Sequence, residues 1–398
     1  MRSASLFINF QILLAALAIA LFTLGYTYFT LFVSLFIILT SYPKYIVPKS
    51  TLLFFCIVFF SGSIIAMIMI GLNTFPDSEV NAVLLRNRFF LIRILFALAI
   101  CLFLMRLTWE RILYMLFVIM IIQFAAGIFQ FLFTDTKRIS MLTSEPSAAA
   151  MYYVFLSPLM IGYYNINKRA RLWIILYLIL GLFIQSKALF LVIPILILYV
   201  VFNSDNKKLK LAAWGVIVAS ILSIPFLLGI KEVDRLVYFI QILKEQGIEG
   251  LTEQNRIWST FTLRFSSVLT SVQLLFENPW GIGFGGFHWL YIDKMTSDTI
   301  QSSLTGVEIR GILNGELYAT PKSLFLEYAV SCGIFFLLPV FMLAKRILKN
   351  TIPTILKVSF IGVILISLIV ELSPFMTFLG VLMILGYKIK KENYKIIP

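Results

Sequence analysis

The feature that most limits what this chain can become is the recurrence of apolar stretches long enough to cross a bilayer, separated by short polar turns. A spanning helix takes roughly 20 predominantly apolar residues, fewer where the protein thins the membrane. About twelve segments qualify on that basis, near residues 6–25, 27–42, 51–72, 88–106, 111–133, 147–165, 171–185, 188–202, 211–230, 323–343, 353–371 and 374–387. The second and the last are short enough to be re-entrant instead. Only 13% of the 398 residues are charged, against about a quarter in soluble domains. The expected fold class is an all-α polytopic membrane protein with about twelve transmembrane helices and one large extracytoplasmic loop.

A formal net charge of +14 would suit nucleic acid in a soluble protein, but in a polytopic chain Lys and Arg are sorted to the cytoplasmic turns. One set of turns carries Lys44, Lys49, Arg106, Arg111, Lys168, Arg169, Arg171, Lys207, Lys208, Lys210, Lys345, Arg346, Lys349 and the tail from Lys388 to Lys395. Glu110, Asp205 and Glu392 are the only acidic residues assigned beside them. That side is expected inside, with both termini cytoplasmic and no nucleic-acid partner. Arg2 leads into an apolar run without a small-residue cleavage pattern, which predicts a retained first helix. Cys56, Cys101 and Cys332 are scattered through apolar segments and predict neither a disulfide framework nor a zinc site.

The expected organisation is nine helices over 1–230, an outward loop over 231–322, and three helices with a cytoplasmic tail over 323–398. Within the loop, 231–246 and 255–276 have spacing suited to helices lying on the membrane surface, and 278–286 is a turn-rich break.

Outward-facing cations cluster where inward-running helices begin: Arg86, Arg88 and Arg93 at the fourth, Arg138 before the sixth, Lys187 at the eighth and Lys322 at the tenth. A helix N-terminus already carries partial positive charge, so cations there are unfavourable unless an anion sits among them. The pattern predicts a phosphate site, with lipid headgroups or nearby carboxylates as the plainer partner of any single residue. The spans flanking Lys187 are about 15 residues each, or roughly 22 Å, against a core of about 30 Å. Its ammonium is expected below the outer surface, unless it snorkels back.

Glu145 lies in Thr143-Ser144-Glu145-Pro146-Ser147, a helix-start pattern, and near Arg138 it either caps the helix, orients an arginine or accepts a proton. His288, the only histidine, is either a general base or a packed interface residue beside Trp289. Gly281, Gly283 and Gly286 match G-x-G-x-x-G without a surrounding β-α-β unit, so a tight loop is expected rather than a dinucleotide site. Asp77 and Glu79 would suit a divalent metal, but a solvated turn is the simpler reading.

Several stretches, in order, resemble one family. Arg138-Ile139-Ser140-Met141-Leu142-Thr143-Ser144-Glu145-Pro146-Ser147 is similar to an Arg, apolar, Glu-Pro-Ser segment before a membrane helix. Gln185-Ser186-Lys187 resembles a Ser-Arg or Ser-Lys hairpin tip. Arg264, followed by Glu277-Asn278-Pro279-Trp280-Gly281-Ile282-Gly283-Phe284-Gly285, resembles a loop arginine and its Asn-Pro-apolar-Gly-apolar-Gly run. Thr320-Pro321-Lys322-Ser323-Leu324-Phe325-Leu326-Glu327, with Gly333, resembles the approach to the helix after that loop. These are features of the O-antigen polymerase and O-antigen ligase superfamily of bacterial envelope glycosyltransferases.

The resemblance implies a GT-C-like enzyme of the bacterial inner membrane that joins undecaprenyl-pyrophosphate-linked oligosaccharide repeat units into a surface polysaccharide, without a metal or other cofactor. It implies a lipid bilayer environment and, as partners, the chain-length regulator and flippase of the same pathway. Arg86, Arg88, Arg138, Lys187, Arg264 and Lys322 are then candidates to hold pyrophosphate or glycan, and Glu145, His288 and Glu327 are candidates for the base. The family often has Pro-His-Asn where Pro321-Lys322-Ser323 stands here, which weakens the alternative of a ligase acting on lipid A core. A lipid-linked sugar transporter is a further alternative, disfavoured because polar side chains gather at the outer face and no internal repeat is visible.

Overall fold

The computed structural model describes residues 2–24, 27–41, 45–134, 139–143, 145–184, 186–203, 241, 244–245, 259–297, 307–349, 351–371 and 374–392. All the regular structure among them is helical. In chain order the helices are α1 (Arg2–Ala20), α2 (Thr27–Ser41), α3 (Lys49–Gly71), α4 (Val80–Arg106), α5 (Trp109–Phe133), α6 (Pro146–Ile166), α7 (Arg171–Leu180) and α8 (Lys187–Asn203), then α9 (Ser259–Glu277), α10 (Phe287–Ser297), α11 (Val307–Leu313), α12 (Leu324–Cys332), α13 (Ile334–Ile347), α14 (Thr354–Ser367) and α15 (Phe375–Glu392).

Helices α3, α4 and α5 are long and apolar enough to cross a membrane, so this is a helical protein of membrane character. The expected segments 211–230 and 231–246 lie outside the described residues, apart from 241 and 244–245. The stretch expected as one span near 323–343 is two helices, α12 and α13, broken at Gly333. There φ is 56°, and a Cβ would stand 2.2 Å from the Pro279 carbonyl oxygen. The Ile334 amide donates to that carbonyl at 2.8 Å, so the break admits the 279–284 run into the bundle.

Helix α4 is central, packing on α2, α3 and α15, while α14 packs on α6 and α8 and α1 on α5. In lipid there is no hydrophobic drive between helices, so close fit and small residues carry the association. Ala15, Ala16 and Ala18 of α1 are fully buried, as are the large rings of Phe55, Phe96, Phe103 and Phe378. A second, smaller core lies apart from the bundle, built from Leu263 and Leu274 of α9, Ile282, Phe287 and Tyr291, Ile309 and Ile312 of α11, and Val330.

Candidate functional site

A cavity of about 640 Å³ lies between the Val80 end of α4, residues 318–323, and Glu371 beyond the end of α14. That is within the range of small-molecule sites, about 300–1,000 Å³. Phe22, Leu85, Phe89, Phe90 and Ile92 give it an apolar wall, and Arg86, Arg93, Lys322, Glu327 and Glu371 a charged one.

Helical spacing decides which arginines take part. Arg86 and Arg93 are separated by two turns and share the cavity face, roughly 10 Å apart along the axis. Arg88, displaced by about 200° of helix rotation, is exposed and does not line the cavity. With 27 residues, α4 is roughly 40 Å long, more than a hydrocarbon core of about 30 Å. Arg93 lies only about 20 Å along the axis from the Arg106 end, at a depth where an ionised side chain is costly and characteristic of functional sites. Glu327 lies in the field of Arg93 and Arg86, and among the described residues it forms no ion pair.

Residues 318–324 are pinned from several sides. Ser323 Oγ caps α12 by accepting from the Leu326 amide at 3.2 Å and donates to the Ser367 carbonyl at 3.1 Å. The Leu324 amide donates to the Val370 carbonyl at 2.9 Å. Between these anchors Lys322 takes φ 56°, a left-handed conformation that costs a non-glycine residue on the order of 1 kcal/mol. Its Nζ then reaches Glu371 at 3.2 Å. Glu371 also accepts from Thr320 Oγ1 at 3.3 Å and lies 3.9 Å from Arg264 Nη2. Arg264 is fixed in turn by donating from Nη1 to the Ile369 carbonyl at 2.9 Å. One carboxylate thus ties α9, the 318–323 segment and the end of α14 together.

Tyr318 forms the roof. The Arg86 guanidinium lies 3.4 Å from its ring centre and the His288 ring is stacked on it at 4.0 Å. Two groups so close to one ring must occupy opposite faces. The Tyr318 hydroxyl donates to the Gly285 carbonyl at 2.9 Å, and burial pushes its pKa up to about 12, partly offset by Arg86. His288 is buried, and its Nδ1 accepts from the Ala319 amide at 2.9 Å. Burial, with a smaller contribution from Arg86, lowers its pKa to about 4. It is therefore neutral near pH 7, with its proton on Nε2.

The glycine-rich run holds this roof against the bundle. The Ile282 and Gly283 amides donate to the Val330 and Ser331 carbonyls at 3.0 and 2.9 Å, and the Phe284 amide to the Gly62 carbonyl at 3.1 Å. Gly283 has φ 77°, and a Cβ there would stand 2.3 Å from the Ala66 backbone. Phe284 is fully buried and stacks on Phe90 at 4.5 Å, directly beneath the cavity wall. A glycine at residue 62 leaves room for that ring, since a Cβ there would come within 2.2 Å of it.

The other sequence candidates lie elsewhere or beyond description. Glu145 is exposed and accepts from Ser147 Oγ at 2.7 Å, and it does not line the cavity. Asp77 is exposed and Glu79 half-buried in a turn before α4; the Glu79 carboxylate acts on the Tyr318 hydroxyl, but neither residue lines the cavity. Arg138 and the side chain of Lys187 lie outside the described residues. The structure therefore groups Arg86, Lys322 and Glu327 in one cavity, connects Arg264 to it through Glu371, and places His288 behind Tyr318. Sequence reasoning missed Glu371 and Tyr318. The available signal was an unneutralised acid at the end of an apolar segment, Ile369-Val370-Glu371, and an aromatic residue ahead of Thr320-Pro321-Lys322. The chain matches no protein-family model and no curated protein, so any functional reading rests on these residues.

Proposed function

We propose that this protein is an inner-membrane glycan polymerase that transfers a growing chain from undecaprenyl pyrophosphate to the terminal sugar of a lipid-linked repeat unit. In this reading about twelve helices span the bilayer, both termini are cytoplasmic, and the cavity opens at the outer face. The observation that carries the proposal is one cavity with an apolar wall, suited to a polyprenyl chain, and a cationic wall, suited to its pyrophosphate. Arg86, Arg93 and Lys322, with Arg264 behind Glu371, outweigh Glu327 and Glu371 by two charges, matching the double negative charge of a diphosphate diester.

The acceptor hydroxyl attacks the anomeric carbon of the donor sugar, and the bond from that carbon to the pyrophosphate oxygen breaks with its electron pair leaving on oxygen. The cations stabilise the charge that grows there. Glu327 takes the proton from the acceptor hydroxyl. It is favoured over His288, whose Nδ1 lone pair is already engaged by Ala319. The diphosphate charge is then met by side chains, and full activity of purified protein in EDTA is expected. Loss that Mg²⁺ or Mn²⁺ restores would overturn that part.

The direct experiment scores polymer ladders in cells carrying Arg86→Ala, Arg93→Ala or Arg88→Ala. Ladders lost with the first two and retained with the third support the proposal. Wild-type ladders from Arg93→Ala would overturn it, as would bare acceptor alongside lipid-linked polymer in a deletion strain.

A further inference from the structure

Helix α9 is inside out. Its covered face, which packs on α10, α11 and α12, is rich in hydroxyls: Ser266, Ser267, Thr270 and Ser271 are all 0% exposed. Ser266 Oγ shares a hydrogen bond of 2.6 Å with the Tyr291 hydroxyl, and Ser271 Oγ donates to the Ser267 carbonyl at 2.6 Å. The outward face is apolar. Val268 and Val272 are each 38% exposed, Phe276 is 82% and Trp280 just beyond it 63%. A helix resting on a membrane keeps its polar face in water. Here the polar face is covered by protein and the outward stripe carries no charge between Phe265 and Phe276.

The surface on which this stripe borders identifies the occupant. Trp280 lies 5.9 Å from the ring of Phe335 on α13, and the exposed face of α13 continues through Leu338, Phe341 and Met342 to the basic pair Lys345 and Arg346. That is the outer surface of an apolar helix with a basic end, as lipid-facing helices have. Trp and Phe at the junction suit the membrane interface, where aromatic rings concentrate.

We infer that α9 is immersed in the outer leaflet, with its 268–272–276 stripe against acyl chains, rather than lying over the bundle in water. This holds whatever reaction the cavity performs. Burying three such side chains in lipid fixes the depth of α9 and, with it, that of Arg264 one turn before Val268.

The test uses single cysteines at Val268, Val272 and Phe276, with Asp293→Cys as the water-exposed reference, in full-length Cys56→Ser protein; Cys101 and Cys332 are buried. Each is spin-labelled and reconstituted in phosphatidylcholine–phosphatidylglycerol vesicles. Collision with dissolved oxygen is expected to exceed collision with a water-soluble nickel chelate several-fold at the three stripe positions, and to be reversed at Asp293. Nickel dominance on the stripe overturns the inference because water covers it. Low collision with both reagents overturns it equally, because another part of the chain or a second copy covers it. A readout free of labels is quenching of Trp280 by dibrominated acyl chains, taken as the difference between parent and Trp280→Phe. No difference in quenching would overturn the inference.

Discussion

Two segments of this protein look alike in sequence: residues 139–147 and 318–327 each bring a glutamate to the start of an apolar helix beside Ser and Pro. Their structures differ in kind. The first is a backbone turn held by amide side chains: Gln130 Oε1 accepts from the Ser140 and Met141 amides at 3.0 and 2.9 Å. Gln123 Oε1 accepts from the Leu142 amide at 3.0 Å, while its Nε2 donates to the Ala20 carbonyl at 3.2 Å. Glu145 faces outward at its edge. The second segment is held equally firmly, but its anchors leave Lys322 and Glu327 turned into a cavity with two arginines. Order at a helix start is therefore not itself a sign of chemistry. What separates the two segments is whether the ordered side chains converge on unfilled space.

The sharpest way to break this contrast is Glu327→Gln, which keeps the shape and removes the base. Polymer formation is expected to fall by on the order of 10²–10³-fold with thermal stability in detergent nearly unchanged, and equal activity would remove Glu327 from the mechanism. Arg93→Ala is expected to cost about 10²-fold, against less than twofold for Arg88→Ala, about the scatter of a surface substitution. Glu371→Gln releases Lys322 and Arg264 together and is expected to lower activity about tenfold, or about 1.4 kcal/mol, with a double variant carrying Lys322→Ala adding less than the two single effects combined.

Acid should act on the second segment selectively. His288 is neutral in the fold down to about pH 4, whereas in the unfolded chain it protonates near 6.5. Below 6.5 the unfolded state binds more protons, so stability is fully present above that pH and is lost as pH falls towards 4. The loss is expected to be on the order of 3 kcal/mol, read as a falling melting temperature that His288→Gln flattens. The smallest effect belongs to Glu145→Gln, expected within about twofold of wild-type activity; a loss as large as that of Glu327→Gln would erase the distinction.

Membrane character and much of the helix order were legible in the sequence because apolar length is a local property. So was the pairing of Arg86 and Lys322 as cations at helix starts, which the fold brings to one cavity. Glu371 was not legible, because its partners Arg264, Thr320 and Lys322 are brought to it only by packing. Nor was the difference between Arg88 and Arg93, since it depends on which face of α4 the 318–323 segment covers. Gly333 entered the sequence reading only as part of the resemblance near that helix start, and the break it makes became visible only with Pro279 seated against it.

Phe284 carries a consequence for traffic through the cavity. With its ring clamped between Phe90 and Gly62 and the neighbouring amides bonded to two helices, the glycine-rich run cannot swing aside as a flap without exposing that ring and breaking those bonds. Traffic through the cavity must then leave that run in place: a ligand meets an aromatic wall already shaped when it arrives, and residues 282–284 do not fold over it afterwards.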